Sequence, residues 1–223
     1  MLSLSLSLSL FLSLSLSLSL STERDISCLV QVNYFFRLSK YSDQVQQFVN
    51  APGAVLPERA ANEVRQWIAD GCRDFSISRT GVSWGIPVPA DDAHTVYVWF
   101  DALIGYLSAL LPDDEKWDLA TLQQHGWPAD VHIIGKDILR FHAVYWPGML
   151  MALGIPRPRL VFGHGFLTKD GTKMGKSLGN VLDPFALTRT YGADAVRCVA
   201  HLQLFPLALL RRPGLFTCAL LHA

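Results

Sequence analysis

The sequence predicts an α/β fold built around a parallel sheet, and three observations support this prediction. Runs of β-branched and aromatic residues alternate along the chain with stretches that carry apolar residues at helical spacing. Turn and capping residues separate the two kinds of stretch. Half of the 223 residues are hydrophobic, which is enough to bury a core. Sheets of this class bind their ligands at the carboxyl ends of the strands.

Each predicted element rests on a local pattern. In the first half of the chain the patterns indicate a helix over 58–71, a short strand over 74–79, an extended connector over 84–89, a buried strand over 94–100 and a helix over 102–111. In the second half they indicate strands over 131–135 and 159–168. Between these strands they indicate a helix that is capped by Asp137, runs through Met151 and is kinked or restarted at Pro147. A last helix is indicated from Asp183-Pro184 to about Gly192. Two of these strands end at candidate ligand residues, which lie within 99–102 and 135–137.

The two ends of the chain differ from its middle. Residues 2–21 alternate leucine and serine, which is the period of a strand, but the low complexity predicts no role in the fold. The repeat lacks the basic residues expected of a signal or transit peptide. The tail after Arg197 is apolar and broken by Pro206 and Pro213, and it is shorter than the roughly 20 residues of a membrane span. We assign it no function.

Charge and cysteine content exclude several classes of protein. Lysine plus arginine equal aspartate plus glutamate at 19 each, so no global positive field indicates a nucleic-acid partner, and any contact with nucleic acid would be local. The chain has four widely spaced cysteines that form no CxxC pair: Cys28, Cys72, Cys198 and Cys218. This spacing argues against a zinc knuckle and against a disulfide framework, and it favours reduced thiols.

The segment 173–177, Lys-Met-Gly-Lys-Ser, is the most informative stretch. Two ammonium groups near a glycine can hold the charge of a phosphate chain. The preceding Asp170-Gly171 pair predicts a hairpin. A P-loop is disfavoured, because only three residues separate Gly171 from Gly175 where that motif has four. The remaining alternative for these five residues is a solvated basic turn.

Two other groups of residues carry alternatives. Gly135 would let a base or ribose approach the backbone, and Asp137 could accept hydrogen bonds from ribose hydroxyls, cap its helix, or do both. The aromatic residues from Trp99 to Tyr106 could be core or could line a pocket for a thioether side chain. His142 could be a core residue or a ligand contact.

Together these stretches resemble the methionyl-tRNA synthetases, a class I family of the bacterial and organellar type. The phrases that carry the resemblance are NYFFRLSKY, DFSISR, WGIPVP, VYVWFDALIGYLSAL, HIIGKDILRFHAVYWPGMLMALG, VFGHGFLTKDGTKMGKSLGNVLDP and YGADAVR, in order over 32–197. The resemblance implies only the second half of a Rossmann-type catalytic domain. It divides the chain into a repeat (1–22), a remnant of the connective region and return to the catalytic domain (23–90), the Rossmann half with the KMSKS-like loop (91–182), the start of the stem helices (183–200) and a divergent tail (201–223).

The resemblance also implies an activity and its residues. The family activates methionine with ATP, accompanied by Mg²⁺, and transfers it to tRNA(Met); no protein-bound zinc is expected. By matching position, the methionine pocket would comprise Trp99, Ala102, Tyr106 and His142. The nucleotide side would comprise Gly135, Asp137, His164, Gly165, Leu167, Lys173 and Lys176, of which Lys173 and Lys176 would stabilise charge on the phosphates during catalysis.

Part of the family pattern is missing. No HxGH string occurs, so we expect the chain as written to be an inactive, aggregation-prone ligase truncated at both ends, without its anticodon-binding domain. The alternative is a non-catalytic fragment that binds nucleotide or a partner. A membrane-associated protein is a weaker third reading. The motifs suggest the mitochondrion or another organelle as the compartment, with the cytoplasm as the alternative.

Overall fold

The computed structural model of the chain describes residues 11–18, 28–89, 91–111, 117–169 and 171–204. Strands and helices alternate in much of this range, as the sequence predicts. In chain order the elements are β1 (Phe11–Leu18), β2 (Cys28–Phe36), α1 (Ser42–Asn50), β3 (Val55–Leu56), α2 (Glu58–Ala69), β4 (Phe75–Ser76), β5 (Ser78–Thr80), β6 (Pro87–Val88), β7 (Asp91–Val96), α3 (Val98–Ser108), α4 (Leu119–Gln124), β8 (Val131–Gly135), α5 (Trp146–Leu153), β9 (Leu160–His164), β10 (Thr168–Lys169), β11 (Thr172–Lys173), α6 (Pro184–Tyr191) and α7 (Ala193–Leu204).

A sheet in the order β3-β9-β8 carries the parallel pairing expected of an α/β fold. In it β3 and β9 run parallel, with Val55 opposite Val161 and Leu56 opposite Phe162. Two further three-stranded sheets have the orders β1-β2-β4 and β5-β7-β6, and their strands pair antiparallel. The predicted α/β class is therefore confirmed, although antiparallel sheets accompany the parallel one.

The leucine–serine repeat takes part in the fold, so the prediction that it has no role there is wrong for 11–18. Its strict alternation has the period of a strand, and β1 pairs antiparallel with β2 over its whole length, from Phe11 opposite Phe35 to Leu18 opposite Cys28. The rest of the repeat lies outside the described residues.

The strand predicted over 94–100 is shorter than expected. β7 ends at Val96, and Tyr97, in extended conformation, precedes a helix that already contains Trp99. The residues 97–100 are aromatic or β-branched and so favour strands, but tertiary packing decides: the helix buries Leu103 and Leu107. The prediction that Trp99 follows a strand of the parallel sheet is therefore wrong, because β7 belongs to an antiparallel sheet.

Asp137 does not cap a helix as predicted. It lies inside a 3₁₀ turn, Lys136–Ile138, that follows β8. A π-helical segment, Phe141–Tyr145, then precedes α5, so the predicted restart occurs close to Pro147. Proline has no N–H and its ring crowds the carbonyl four residues earlier, and a wider π turn relieves both problems.

The chain divides into two compact units. The first unit comprises Met1–His132 and Ile138–Phe162, and the second comprises Ile133–Asp137 and Gly163–Ala223. The core of the first unit is formed by α1, α2 and α5, and Trp146 is wholly buried in it. At Gly148 a built Cβ would lie 2.6 Å from Cδ1 of Leu38, so any larger residue would force that buried side chain to move.

We expect Gly105→Ala to stabilise the first unit by about 0.5–1 kcal/mol, because glycine in a helix interior loses more backbone entropy on folding than alanine does. Gly105 lies within α3, and a Cβ built on it meets nothing within 4 Å. Urea unfolding of the two proteins measures the difference. A lower free energy of unfolding in the variant would contradict the prediction.

The second unit contains a β-hairpin and two helices. β10 and β11 pair antiparallel around Gly171, so the predicted hairpin is confirmed. α6 begins as predicted, with the Asp183 side chain accepting a hydrogen bond from the backbone N–H of Phe185 (2.9 Å) and Pro184 in the first turn. Of the divergent tail, only the end of α7 falls among the described residues. Cys72 in the first unit and Cys198 in the second are free thiols.

Candidate functional site

An aromatic cluster in the first unit brings together three of the residues predicted to bind methionine. The Tyr106 hydroxyl lies 2.8 Å from Nε2 of His142. The ring of Trp99 meets His142 edge-on at 6.3 Å and stacks on Phe141 with centroids 3.9 Å apart. Ala102 lies between Trp99 and Tyr106 on the same helix, at spacings that place all three on one face.

His142 is neutral and its tautomer follows from its partners. Nδ1 lies 2.9 Å from the carbonyl oxygen of Ile138, which only accepts, so Nδ1 carries the proton. Nε2 therefore accepts the hydrogen bond from Tyr106. Burial lowers the pKa of His142, although the bond to Ile138 acts in the opposite direction. Burial also raises the pKa of Tyr106. Both groups stay uncharged near neutral pH, as suits an uncharged thioether ligand.

Sequence reasoning missed a second layer of rings behind this pair. His132 is buried, stacks obliquely on Tyr106 at 4.4 Å, and its Nε2 accepts a hydrogen bond from Nε1 of Trp146 at 3.3 Å. Burial, assisted by nearby His142, lowers the pKa of His132 to about 4. The sequence signal that could have revealed His132 is the alternation of side chains along β8, which places His132 and Ile134 on the buried side.

In the second unit the end of β8 places Gly135 against two other residues predicted to bind the nucleotide. A Cβ built on Gly135 would lie 2.6 Å from Oδ1 of Asp137 and 3.9 Å from Cε1 of His164. Asp137 is exposed, so its carboxylate is accessible to a ligand. His164 donates from Nδ1 to the carbonyl of Gly165 at 2.7 Å. Leu167 is half-buried just before the hairpin.

The lysine loop is fixed by two residues that the sequence did not single out. Nζ of Lys173 lies 3.8 Å from the ring centroid of Phe166, and Nζ of Lys136 lies 4.8 Å from the same centroid. Asn180 accepts from the backbone N–H of Gly175 at 2.8 Å and donates to the carbonyl of Lys173 at 3.3 Å. The hairpin is thereby joined to the strand end that bears Asp137.

Lys176, the second lysine of the loop, is exposed and begins a short 3₁₀ turn, Lys176–Leu178, which Gly179 follows as the C-cap. Within the described ranges its side chain forms no ion pair. Its ammonium group is therefore available to an anionic ligand, like that of Lys173.

A cleft of about 450 Å³ lies in the first unit, and none of the predicted methionine residues lines it. Its walls carry two arginines and two aspartates, a lining that does not suit a thioether: Trp67, Asp70, Gly71, Arg73, Asp74, Arg140 and Tyr145. In the part of the chain that the structure describes, no cluster of three metal-ligating side chains occurs, and no helix has the length and apolarity to cross a bilayer. The expectation about zinc stays a prediction.

Comparison with known proteins assigns the family. The sequence profile described as "tRNA synthetases class I (M)" matches residues 17–204. The chain belongs to this family. The synthetase chain is 61% identical over 166 residues to the methionine–tRNA ligase, chloroplastic/mitochondrial, of Arabidopsis thaliana, covering 74% of this chain and 27% of that protein. It is 57% identical over 166 residues to the methionine–tRNA ligase of a Nostoc species, covering 74% of this chain and 31% of that protein.

Solved structures agree with this assignment. Methionyl-tRNA synthetase of Mycobacterium tuberculosis bound to methionyl-adenylate superposes with a TM-score of 0.69 at 44% identity, covering 83% of this chain and 37% of that one. Its free form gives a TM-score of 0.65 at 42% identity, covering 81% of this chain and 34% of that one. The fold is thus part of a class I synthetase catalytic domain, as predicted, and the chain spans about a third of the length of these relatives.

Proposed function

We propose that this synthetase chain binds methionine and ATP for the activation of methionine, the first step of methionine–tRNA ligation. The observation that carries the proposal is the uncharged pair formed by the Tyr106 hydroxyl and the buried His142 beside the ring of Trp99. Such a group suits an uncharged, polarizable side chain, and the solved relative of Mycobacterium tuberculosis is described as holding methionyl-adenylate.

In the proposed methionine pocket each residue has a separate task. The ring of Trp99, held by its stack on Phe141, forms a flat wall against which a thioether packs. The small side chain of Ala102 leaves space for the ligand on the same face of the helix. The hydrogen bond between Tyr106 and His142 satisfies both polar groups internally, so an apolar ligand leaves no donor unpaired.

In the proposed nucleotide site, backbone and charge take complementary roles. Gly135 and Gly165 allow a base or ribose to lie against the main chain, with His164 and Leu167 beside them. The Asp137 carboxylate accepts from ribose hydroxyls. Lys173 and Lys176 oppose the negative charge on the phosphates as the methionine carboxylate attacks, which is catalysis by positioning and electrostatics. Mg²⁺ accompanies ATP as part of the substrate, and we propose no zinc bound by protein ligands.

The acceptor in the complete reaction would be tRNA(Met), and we propose the mitochondrion or another organelle as the compartment. The name of the Arabidopsis relative, chloroplastic/mitochondrial, supports the compartment. The even balance of charge favours a local tRNA contact over a general one.

A non-hydrolysable methionyl-adenylate analogue tests the proposal without requiring turnover. We expect calorimetry to show that the chain binds this analogue and discriminates against the matching leucyl analogue. Tyr106→Phe should weaken binding of the methionyl analogue about twofold to tenfold, because it leaves buried Nε2 of His142 without its donor. Equal affinity for the two analogues, or no binding of either, would contradict the proposal.

Turnover by the same preparation is a separate question. Methionine-dependent exchange between ATP and pyrophosphate measures whether the residues in this chain suffice for activation. Binding of the analogue without exchange would identify a fragment that recognises the ligands and needs further residues for the chemical step. Binding of ATP without selectivity for methionine would instead favour the alternative of a nucleotide-binding module.

A further inference from the structure

We propose that Phe166 is a positioning residue, whose ring holds Lys136 and Lys173 together as a site for the terminal phosphates of the nucleotide. Lys136 would then be a third phosphate-contacting cation beside the two lysines of the loop. The inference rests on the proposed function, because it names the part of the ligand that this region of the second unit receives.

The ammonium groups of two lysines lie near the same aromatic ring. The Nζ atoms of Lys173 and Lys136 lie 3.8 Å and 4.8 Å from one centroid, so the two ammonium groups are at most 8.6 Å apart. Both distances fall within the range in which the negative face of an aromatic ring attracts a cation. Phe166 is only half-buried, and both lysines are exposed. The ring therefore contacts charged groups at the surface and is not simply a core side chain.

The positive charge of the two lysines is not balanced by a paired carboxylate. Among the residues that the structure describes, neither lysine forms an ion pair with a carboxylate. Two ammonium groups near one ring repel each other, and an anion placed between them would remove that repulsion. Asp137, which follows Lys136 in the sequence, has its carboxylate against the backbone of Gly135. The pair of lysines thus carries positive charge that a phosphate chain could neutralise.

The two lysines are partly held in place before any ligand binds. The backbone of Lys173 is held by its place in β11 opposite Thr168 and by the hydrogen bond from Asn180. The backbone of Lys136 follows directly on β8. The remaining freedom lies in the two flexible side chains, and contact with the ring restricts both before a ligand arrives. Less conformational entropy is then lost on binding an anion.

The test uses the 223-residue chain with its lysines labelled by reductive ¹³C-dimethylation, which preserves their positive charge. Only six lysines are present, so the spectrum is simple. We expect the methyl signals of Lys136 and Lys173 to be displaced upfield by the ring current of Phe166, and inorganic tripolyphosphate to move both. Lys40, whose Nζ lies 5.7 Å from the ring centroid of Tyr41, is an internal control, and its signal should not respond to tripolyphosphate.

Phe166→Leu should abolish the upfield displacement and weaken tripolyphosphate binding about threefold to tenfold, whereas Phe166→Tyr should preserve both. Phe185→Leu, which removes a 73% exposed ring from the same unit, is the matched control and should change neither. Lys136→Ala, a surface change that leaves packing intact, should weaken binding about as much as Phe166→Leu.

Undisplaced lysine signals, or equal tripolyphosphate affinity in the wild type, Phe166→Leu and Lys136→Ala, would overturn the inference. Because the probe contains neither methionine nor adenosine, its result is independent of the adenylate-analogue experiment. Binding of tripolyphosphate without selective binding of methionyl-adenylate would retain the phosphate site and reject the proposed substrate. Selective binding of methionyl-adenylate without binding of tripolyphosphate would reject only the proposed phosphate site.

Discussion

Lowering the pH from about 7.5 to about 4.5 is expected to remove roughly 2–3 kcal/mol of stability from the first unit through His132 alone. The pKa of His132 falls from 6.5 to about 4 on folding, because the ring is buried and His142 lies nearby. Below pH 6.5 the unfolded chain binds a proton at this position and the folded chain does not. Stability is therefore fully present above about pH 6.5 and is lost as the pH falls toward 4.

Urea unfolding at several pH values measures this loss, and His132→Gln provides the comparison. Glutamine stays neutral over the range, and its amide can still meet Nε1 of Trp146. We expect the variant to be less stable at neutral pH but to lose much less stability on acidification. The lowered pKa of His142 acts in the same direction, so some dependence of stability on pH remains in the variant. Parallel curves for the two proteins would show that His132 is not the source.

The elements that sequence reasoning predicted correctly are those whose signals are local. The spacing of Val64 and Ile68 determines the buried face of α2, and both are buried there. Asp183 followed by proline predicts a helix start, and the capping hydrogen bond forms as expected. The Asp170-Gly171 pair predicts a hairpin because glycine readily adopts the positive φ of +75° found at Gly171. None of these depends on residues far away in the sequence.

The errors arose where distant contacts override local preference. The residues Tyr97 to Phe100 favour a strand in isolation, but Trp99 stacks on Phe141, a partner about forty residues away, from the first turn of a helix. The π-helical segment that carries His142 likewise has no reliable local signature apart from the proline that follows it. The local pattern of residues 97–100 could not show either arrangement.

The structure brings together several of the residues predicted for the candidate site, whereas the residues that support them were not predicted. The pairing of Tyr106 with His142 and the approach of Gly135 to Asp137 concern residues that the motifs already contain. The partners that fix them did not stand out. His132 reads as one residue of a buried strand, and Phe166 as one more aromatic residue. Their roles follow from the rings and cations that surround them, and these come from separate parts of the chain.

Gly135→Ala is expected to weaken ATP binding about tenfold to a hundredfold while leaving the fold nearly unchanged. The new methyl group would lie 2.6 Å from Oδ1 of Asp137, so the carboxylate must turn away. Since that oxygen ends a short, exposed side chain, the movement costs the fold little. The proposed hydrogen bond from ribose to a charged acceptor is lost, and such bonds contribute about 1.5–3 kcal/mol. Calorimetry with ATP, and separately with methionine, measures the two affinities.

A double-mutant cycle decides whether the loss acts through Asp137. Asp137→Ala alone should weaken ATP binding by a similar factor, and adding Gly135→Ala to it should weaken binding no further, because the clashing carboxylate is gone. Gly105→Ala, whose methyl group meets no neighbour, controls for the general effect of replacing glycine. Additive losses in the double mutant would mean that alanine at 135 obstructs the nucleotide directly. Unchanged ATP affinity in both single variants would exclude this strand end from the nucleotide site.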